Sequence, residues 1–236
     1  MDTQRPWLTE YPSGVPADVD VHAYTSLTGL MQDSFKRFAD RTAFTFMGQG
    51  MTYAETDTLS QAFAAYLKTL GLAKGERVAI MMPNVLQYPV VVAAVLRAGY
   101  VVVNVNPLYT ARELAFQLCD SGAKAIVILE NFASVLQKCL AETPIQHIVM
   151  CTMGDRLGAV KGVLVNYVVR RVKKMVPAYD LPKAVPFNEA IKVGARQTWQ
   201  DPELHGEDLA VLQYTGGTTG VAKGAELLHR NLVANM

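Results

Sequence analysis

Apolar residues change their spacing several times along this chain, and the changes mark out its elements. Leu27, Leu30, Met31, Phe35 and Phe38 recur every three or four positions and predict a helix over 26–39. Residues 42–46 read as a short strand, turned back by Gly48-Gln-Gly50 toward Met51-Thr-Tyr53. Thr52 and Glu55 have the spacing of a capping box and open a helix that ends at Leu70-Gly71. From there strand and helix alternate. Residues 78–82 predict a strand, 86–98 a helix entered through Pro83-Asn84, and 100–105 a buried strand, continuously apolar and β-branched. Thr110 and Glu113 form a second capping box for a helix reaching about Asp120. A strand over 125–129, a helix over 132–141 and a strand over 145–151 follow. This βαβ rhythm predicts an α/β fold: a largely parallel sheet with helices on both faces.

The rhythm breaks between 156 and 183. Val165, Val168, Val169, Val172 and Val176 fall near one helical face, while Arg170, Arg171, Lys173 and Lys174 crowd the same turns. A basic amphipathic helix can lie on an anionic membrane surface; an ordinary solvated helix with its valines on the core gives the same pattern. Pro177, Pro182 and Pro186 then predict an extended crossing, 187–194 a short helix, 202–208 an acidic polar loop and 209–214 a strand. A last helix starts at 228. Residues 1–24, rich in proline, acid and turn formers, are expected to be an irregular lead-in to one partial domain over 25–236.

Half of the 236 residues are apolar, enough for a sizeable core, and the net charge of +1 gives no overall basic field for nucleic acid. The longest apolar stretch, 81–99, is interrupted by Pro83, Asn84, Gln87, Pro89 and Arg97, so no membrane span is expected. The first residues lack the layout of a signal peptide. The chain is therefore expected in the cytoplasm, with peripheral contact at the inner face of the membrane through 161–176 as the open alternative. Cys119, Cys139 and Cys151 are odd in number and widely spaced, which does not suggest a disulfide framework. Cys139, His147, Cys151 and Asp155 match no common zinc spacing, and buried free thiols fit the apolar surroundings of Cys139 and Cys151 better.

The chemistry gathers at one place. Directly after the apolar run 209–214 come Tyr214, Thr215, Gly216, Gly217, Thr218, Thr219, Gly220, Val221, Ala222, Lys223, Gly224 and Ala225. Glycines let backbone N–H groups close around an anion, threonines add hydroxyl donors and the lysine adds charge, a set suited to a polyphosphate. The Walker A spacing fails, because the fourth residue past Gly216 leads to Val221 and Lys223 is followed by Gly224. The dinucleotide fingerprint cannot be laid on these glycines either.

The loop resembles the phosphate-binding signature of the acyl-adenylate-forming enzymes, and is most similar to the bacterial long-chain fatty-acid–CoA ligases among them. That group shares Ala222 where the wider family has proline. His229-Arg230-Asn231 also matches, although Leu228 stands where threonine or serine is usual. Met51-Thr-Tyr-Ala-Glu-Thr56, Lys74-Gly-Glu-Arg-Val-Ala-Ile80, Met81-Met-Pro-Asn84, Leu86-Gln-Tyr-Pro89, Leu96-Arg-Ala-Gly99 and Val103-Asn-Val-Asn-Pro-Leu-Tyr-Thr110 look like the family blocks in order.

The resemblance implies ATP, with AMP as its product, and coenzyme A and a long-chain fatty acid as further substrates. It implies Mg²⁺ too, with Thr218 or Thr219 near it. Thr215 and Lys223 are the implied catalytic pair, holding the departing phosphates. Tyr214 either orients the loop or is a core-edge tyrosine. His229 either approaches the ligand or is an ordinary helix-start residue. The family's remaining blocks, including its Tyr-Gly-x-Thr-Glu segment and C-terminal lysine, are not found here. The chain is thus expected to be an N-terminal portion, inactive alone, carrying no bound cofactor and prone to self-association. Another acyl- or aryl-CoA ligase, a phosphotransferase, and a non-catalytic nucleotide-binding module are the alternatives.

Overall fold

The structure, a computed structural model, describes residues 5–215 and 222–236. A small antiparallel hairpin, β1 (Thr42–Phe46) and β2 (Gln49–Thr52), stands apart from the main sheet. That sheet has seven strands: β3 (Arg77–Met81), β4 (Val101–Asn104), β5 (Ala125–Leu129), β6 (His147–Cys151), β7 (Val185–Pro186), β8 (Leu209–Thr215) and β9 (Lys223–Leu228). Their order is β7-β6-β5-β3-β4-β8-β9, and every pairing is parallel except β8 with β9.

The helices are α1 (Leu27–Arg37), α2 (Tyr53–Lys68), α3 (Gln87–Arg97), α4 (Ala111–Ser121), α5 (Ala133–Cys139), α6 (Ala159–Tyr167), α7 (Phe187–Gly194) and α8 (His229–Val233). β4 lies on one side of β3 and β5 on the other, so the chain reverses its direction of travel between them. The helices that follow take opposite faces. Val78 and Ile80 of β3 join Val91 and Val95 of α3 in one core, while Ala79 and Met81 join Leu114 and Leu118 of α4 in the other. The same period of two runs through Ala125–Leu129 and Ile148–Cys151, which explains why these strands are apolar without interruption: both of their faces are covered. α2 and α7 thicken the first layer, where the Phe63 and Phe187 rings meet tilted at 5.2 Å. Gly194 of α7 lies so close to α2 that a Cβ there would stand 1.8 Å from the Ala62 carbonyl oxygen.

Both expected capping boxes form. Thr52 Oγ1 accepts from the Glu55 N–H at 3.1 Å while the Glu55 carboxylate accepts from the Thr52 N–H at 2.7 Å. Thr110 and Glu113 repeat the arrangement at 3.4 and 2.8 Å. Cys139 and Cys151 are buried, whereas Cys119 is exposed. Two features of the pattern depart from expectation. The segment 223–228 is a strand, although its sequence, Lys-Gly-Ala-Glu-Leu-Leu, is poor in strand formers; pairing with β8 overrides propensity. The helix begun by α6 continues through a π-helical turn, Val168–Val172, in which Val169 is buried but Val172 is exposed. The valines predicted to share one face therefore do not all meet the core.

Candidate functional site at the carboxyl end of the sheet

β8 runs parallel to β4, so Tyr214 and Thr215 finish at the same end of the sheet as Asn104. The chain returns as β9, with Thr215 paired to Lys223 and Tyr214 to Gly224. The candidate phosphate loop is therefore carried on the stem of a hairpin. Lys223 is the first residue of β9 rather than a loop residue. Cross-strand partners share a face, with Cβ atoms about 5 Å apart, so the Thr215 hydroxyl and Lys223 ammonium start side by side; both residues are exposed. Ala222, Gly224 and Ala225 complete the described part of the signature. Gly216, Gly217, Thr218, Thr219, Gly220 and Val221 lie outside the described residues.

Tyr214 anchors the stem. Its hydroxyl donates to Asp120 Oδ2 at 2.5 Å, tying β8 to the end of α4. Burial, and then the Asp120 carboxylate, raise its pKa far above the usual 10, so it stays protonated and donating. Its ring lies against Gly224: a Cβ there would meet Tyr214 Cζ at 3.0 Å and Cε2 at 3.1 Å. The Tyr214 ring thus gives Gly224 a packing reason of its own.

Behind the stem, polar groups fix the strand ends. Asn104 Oδ1 accepts from the Tyr88 hydroxyl at 3.0 Å, and its carbonyl accepts from Gln117 Nε2 at 2.8 Å. Asn104 Nδ2 donates to Gln213 Oε1 at 3.5 Å, and Gln213 Nε2 to the Tyr214 carbonyl at 3.3 Å. Asn104 and Gln213 each interrupt an apolar run near its end, which is the signal that would have found them. Beside Ala222 opens a cavity of about 510 Å³, lined by Tyr109, Arg112, Phe116 and Gln117 among others. Gln117 is buried there with Oε1 lacking a partner among the described residues. Arg112, at the amino end of α4, has no acidic partner among them either.

His229 does not enter this cavity's lining. It is buried, and its Nδ1 accepts from the Leu27 N–H at 3.2 Å, joining α8 to the start of α1. Burial lowers its pKa below 6.5 and keeps it a neutral acceptor. Asn231 caps α8, its Oδ1 accepting from the Leu228 N–H at 2.9 Å.

A threonine and a lysine are thus paired on a hairpin stem at the carboxyl end of a doubly wound sheet, where such folds bind ligands. The profile of the AMP-binding enzyme family matches residues 31–236. The chain belongs to that family. Within it, the chain is 54% identical over 234 residues to a long-chain-fatty-acid–CoA ligase of Escherichia coli O157:H7, and 53% identical over 234 residues to one of Salmonella typhimurium. Each alignment covers 99% of this chain and 42% of the relative, so the chain spans well under half the length of these family members. The fold is that of the anthranilate CoA ligase AuaEII, with a TM-score of 0.71 at 20% identity over 88% of this chain and 35% of that one. No helix among the described residues is long and apolar enough to cross a membrane, and no cluster of three His, Cys, Asp or Glu residues is placed to hold a metal.

Proposed function

We propose that this chain supplies the phosphate-holding part of an ATP-dependent long-chain fatty-acid–CoA ligase. In this reading the fatty-acid carboxylate attacks the α-phosphorus of ATP, the bond to pyrophosphate breaks, and the thiol of coenzyme A then displaces AMP from the acyl-adenylate. The observation that carries it is the hairpin pairing of Thr215 with Lys223 at the carboxyl end of the sheet, together with the relatives named above. Lys223 neutralises the outer phosphates as charge gathers on the leaving pyrophosphate, and the Thr215 hydroxyl donates to the same oxygens. Gly216, Gly217, Thr218, Thr219 and Gly220 add backbone and hydroxyl donors, with Tyr214 and Gly224 fixing the stem that presents them. The described residues suit phosphate oxygens, and among them no three His, Cys, Asp or Glu side chains gather where a metal ion could sit.

The test is ATP–pyrophosphate exchange with fatty acids of several chain lengths, using a protein of the relatives' length that carries this sequence. Lys223→Met is expected to lower kcat/KM for ATP by about 100-fold or more, in the range of a lost preorganised donor. Exchange unchanged by that substitution, or supported by aromatic acids and not by fatty acids, refutes the reading. The same reading includes two associations: peripheral contact of 161–176 with the inner face of the cytoplasmic membrane, and self-association, for which the outer edge of β9, unpaired among the described residues, is the natural place.

A further inference from the structure

α6 packs by one face only. Gly162 is buried so tightly against Gly154 that a Cβ on it would lie 2.4 Å from the Gly154 carbonyl oxygen. Asn166 accepts from the Gly154 N–H at 2.8 Å and donates to Thr152 Oγ1 at 2.9 Å. Val169, in the following π-helical turn, completes the inner side. The opposite stripe is apolar as well. Val160, Val163, Leu164 and Tyr167 recur at helical spacing and are 85, 72, 60 and 59% exposed. A helix apolar on both sides calls for a second apolar neighbour, and none of the described elements covers this one.

The charge around the stripe says what that neighbour is. From 156 to 179 the chain has six Arg or Lys residues and no Asp or Glu. Arg170 is held by the buried Glu130 carboxylate at 2.7 Å, and the Lys161 ammonium is held by the Met47 carbonyl. Arg171, Lys173 and Lys174 are exposed and make no ion pair among the described residues. An apolar stripe on a single helix, ending in exposed cations, matches a surface that is apolar below and anionic above.

We propose that α6 and the turn after it dock on an anionic lipid bilayer, with Val160, Val163, Leu164 and Tyr167 entering the headgroup boundary and Arg171, Lys173 and Lys174 on the lipid phosphates. This deepens the membrane contact of the function proposed above, with one change: the inserting face is the one opposite Val169. The Glu130–Arg170 pair and the Gly154–Gly162 contact hold the helix rigidly beneath that face.

The experiment measures sedimentation of a protein of the relatives' length with vesicles of phosphatidylglycerol and phosphatidylcholine, at low and moderate salt. Its readout is independent of ligase activity, so it can fail while the ligase reading stands, and the reverse. Binding is expected on phosphatidylglycerol only. Substituting Arg171, Lys173 and Lys174 together by Gln should weaken it on the order of 100-fold, since each cation near such a surface contributes about fivefold. Val163→Trp, at an exposed position that leaves folding intact, should gain fluorescence that brominated lipid quenches. Equal binding to both lipids, binding that survives the triple substitution, or Trp fluorescence that brominated lipid leaves unquenched overturns the proposal. So does a Val163→Trp emission already buried without vesicles, which would mean that further polypeptide covers the stripe.

Discussion

The contact between Tyr214 and Gly224 can be tested as a pair. Gly224→Ala places a methyl 3.0 Å from Tyr214 Cζ and 3.1 Å from Cε2, where ordinary contact needs about 3.6 Å. The methyl itself is tolerated, because Gly224 is not among the glycines with positive φ. The ring must therefore retreat by roughly half an ångström, yet its hydroxyl is tied to Asp120 at 2.5 Å. Turning the ring off its rotamer costs about 1 kcal/mol. Stretching a hydrogen bond to a carboxylate costs about 1.5 kcal/mol at the low end that an exposed partner warrants. Against this, Ala in a strand regains about 0.5 kcal/mol over Gly. The net expectation is a loss of about 2 kcal/mol. In a Tyr214→Ala background the steric terms vanish, and Gly224→Ala should be neutral or stabilising by about 0.5 kcal/mol. Equilibrium urea unfolding of the four proteins gives the coupling energy directly, expected at about 2 to 2.5 kcal/mol. A coupling below about 0.5 kcal/mol would mean that Tyr214 does not lie over Gly224, and the account of the stem would fall with it.

Gly194→Ala drives a methyl to 1.8 Å from the Ala62 carbonyl and should cost about 3 kcal/mol or more by forcing α7 from α2; a change in urea midpoint worth less than about 1 kcal/mol would contradict that packing. His229 has its pKa lowered by burial, so the unfolded chain takes up a proton first as pH falls: stability is held above about 6.5 and declines below it. His229→Asn, which keeps an acceptor for the Leu27 N–H, should flatten that part of the decline, and unfolding curves of equal pH dependence from about 7.5 to 5.5 would rule the assignment out. Arg170→Met leaves the Glu130 carboxylate buried without its partner and should cost about 3 kcal/mol, less than a fully buried pair because Arg170 is half exposed. Thermal unfolding of that variant at wild-type temperature would show the ion pair to be incidental.

The parallel sheet was legible because its signals are local. Val101-Val-Val and Ala125-Ile-Val-Ile-Leu129 are apolar on both sides, which only a sheet covered on two faces allows, and each capping box declares a helix start within four residues. What stayed hidden depends on partners distant in sequence. β9 is a strand because β8 pairs with it, and its own Lys, Gly and Glu argue otherwise. Gly224 reads as a phosphate glycine until the Tyr214 ring is placed across from it. His229 looks like a ligand candidate until Leu27, 202 positions earlier, is seen to donate to it. The valines of 165–176 suggest one apolar face, but Gly162 and Asn166 decide which face packs, and neither stands out in a hydrophobic pattern.

The acids near the stem bear on whether this end of the sheet can receive an anion. Asp120 and Glu113 both lie on α4, and two open carboxylates there would repel a phosphate. Each is partly engaged: Asp120 Oδ2 accepts from Tyr214, and Glu113 Oε2 accepts the N–H and hydroxyl of Thr110 at 2.8 and 2.7 Å. Those donors hold the Glu113 carboxyl below its usual range, a sign that its charge is well compensated in place. Among the described residues Lys223 and Arg112 make no ion pair, and Thr215 is exposed beside Lys223; these are the donors that the proposed reading turns to the phosphates. In the proposed reading, the contacts with Tyr214 and Thr110 draw one oxygen of each carboxylate away and so lessen the repulsion that a phosphate would meet at this end of the sheet.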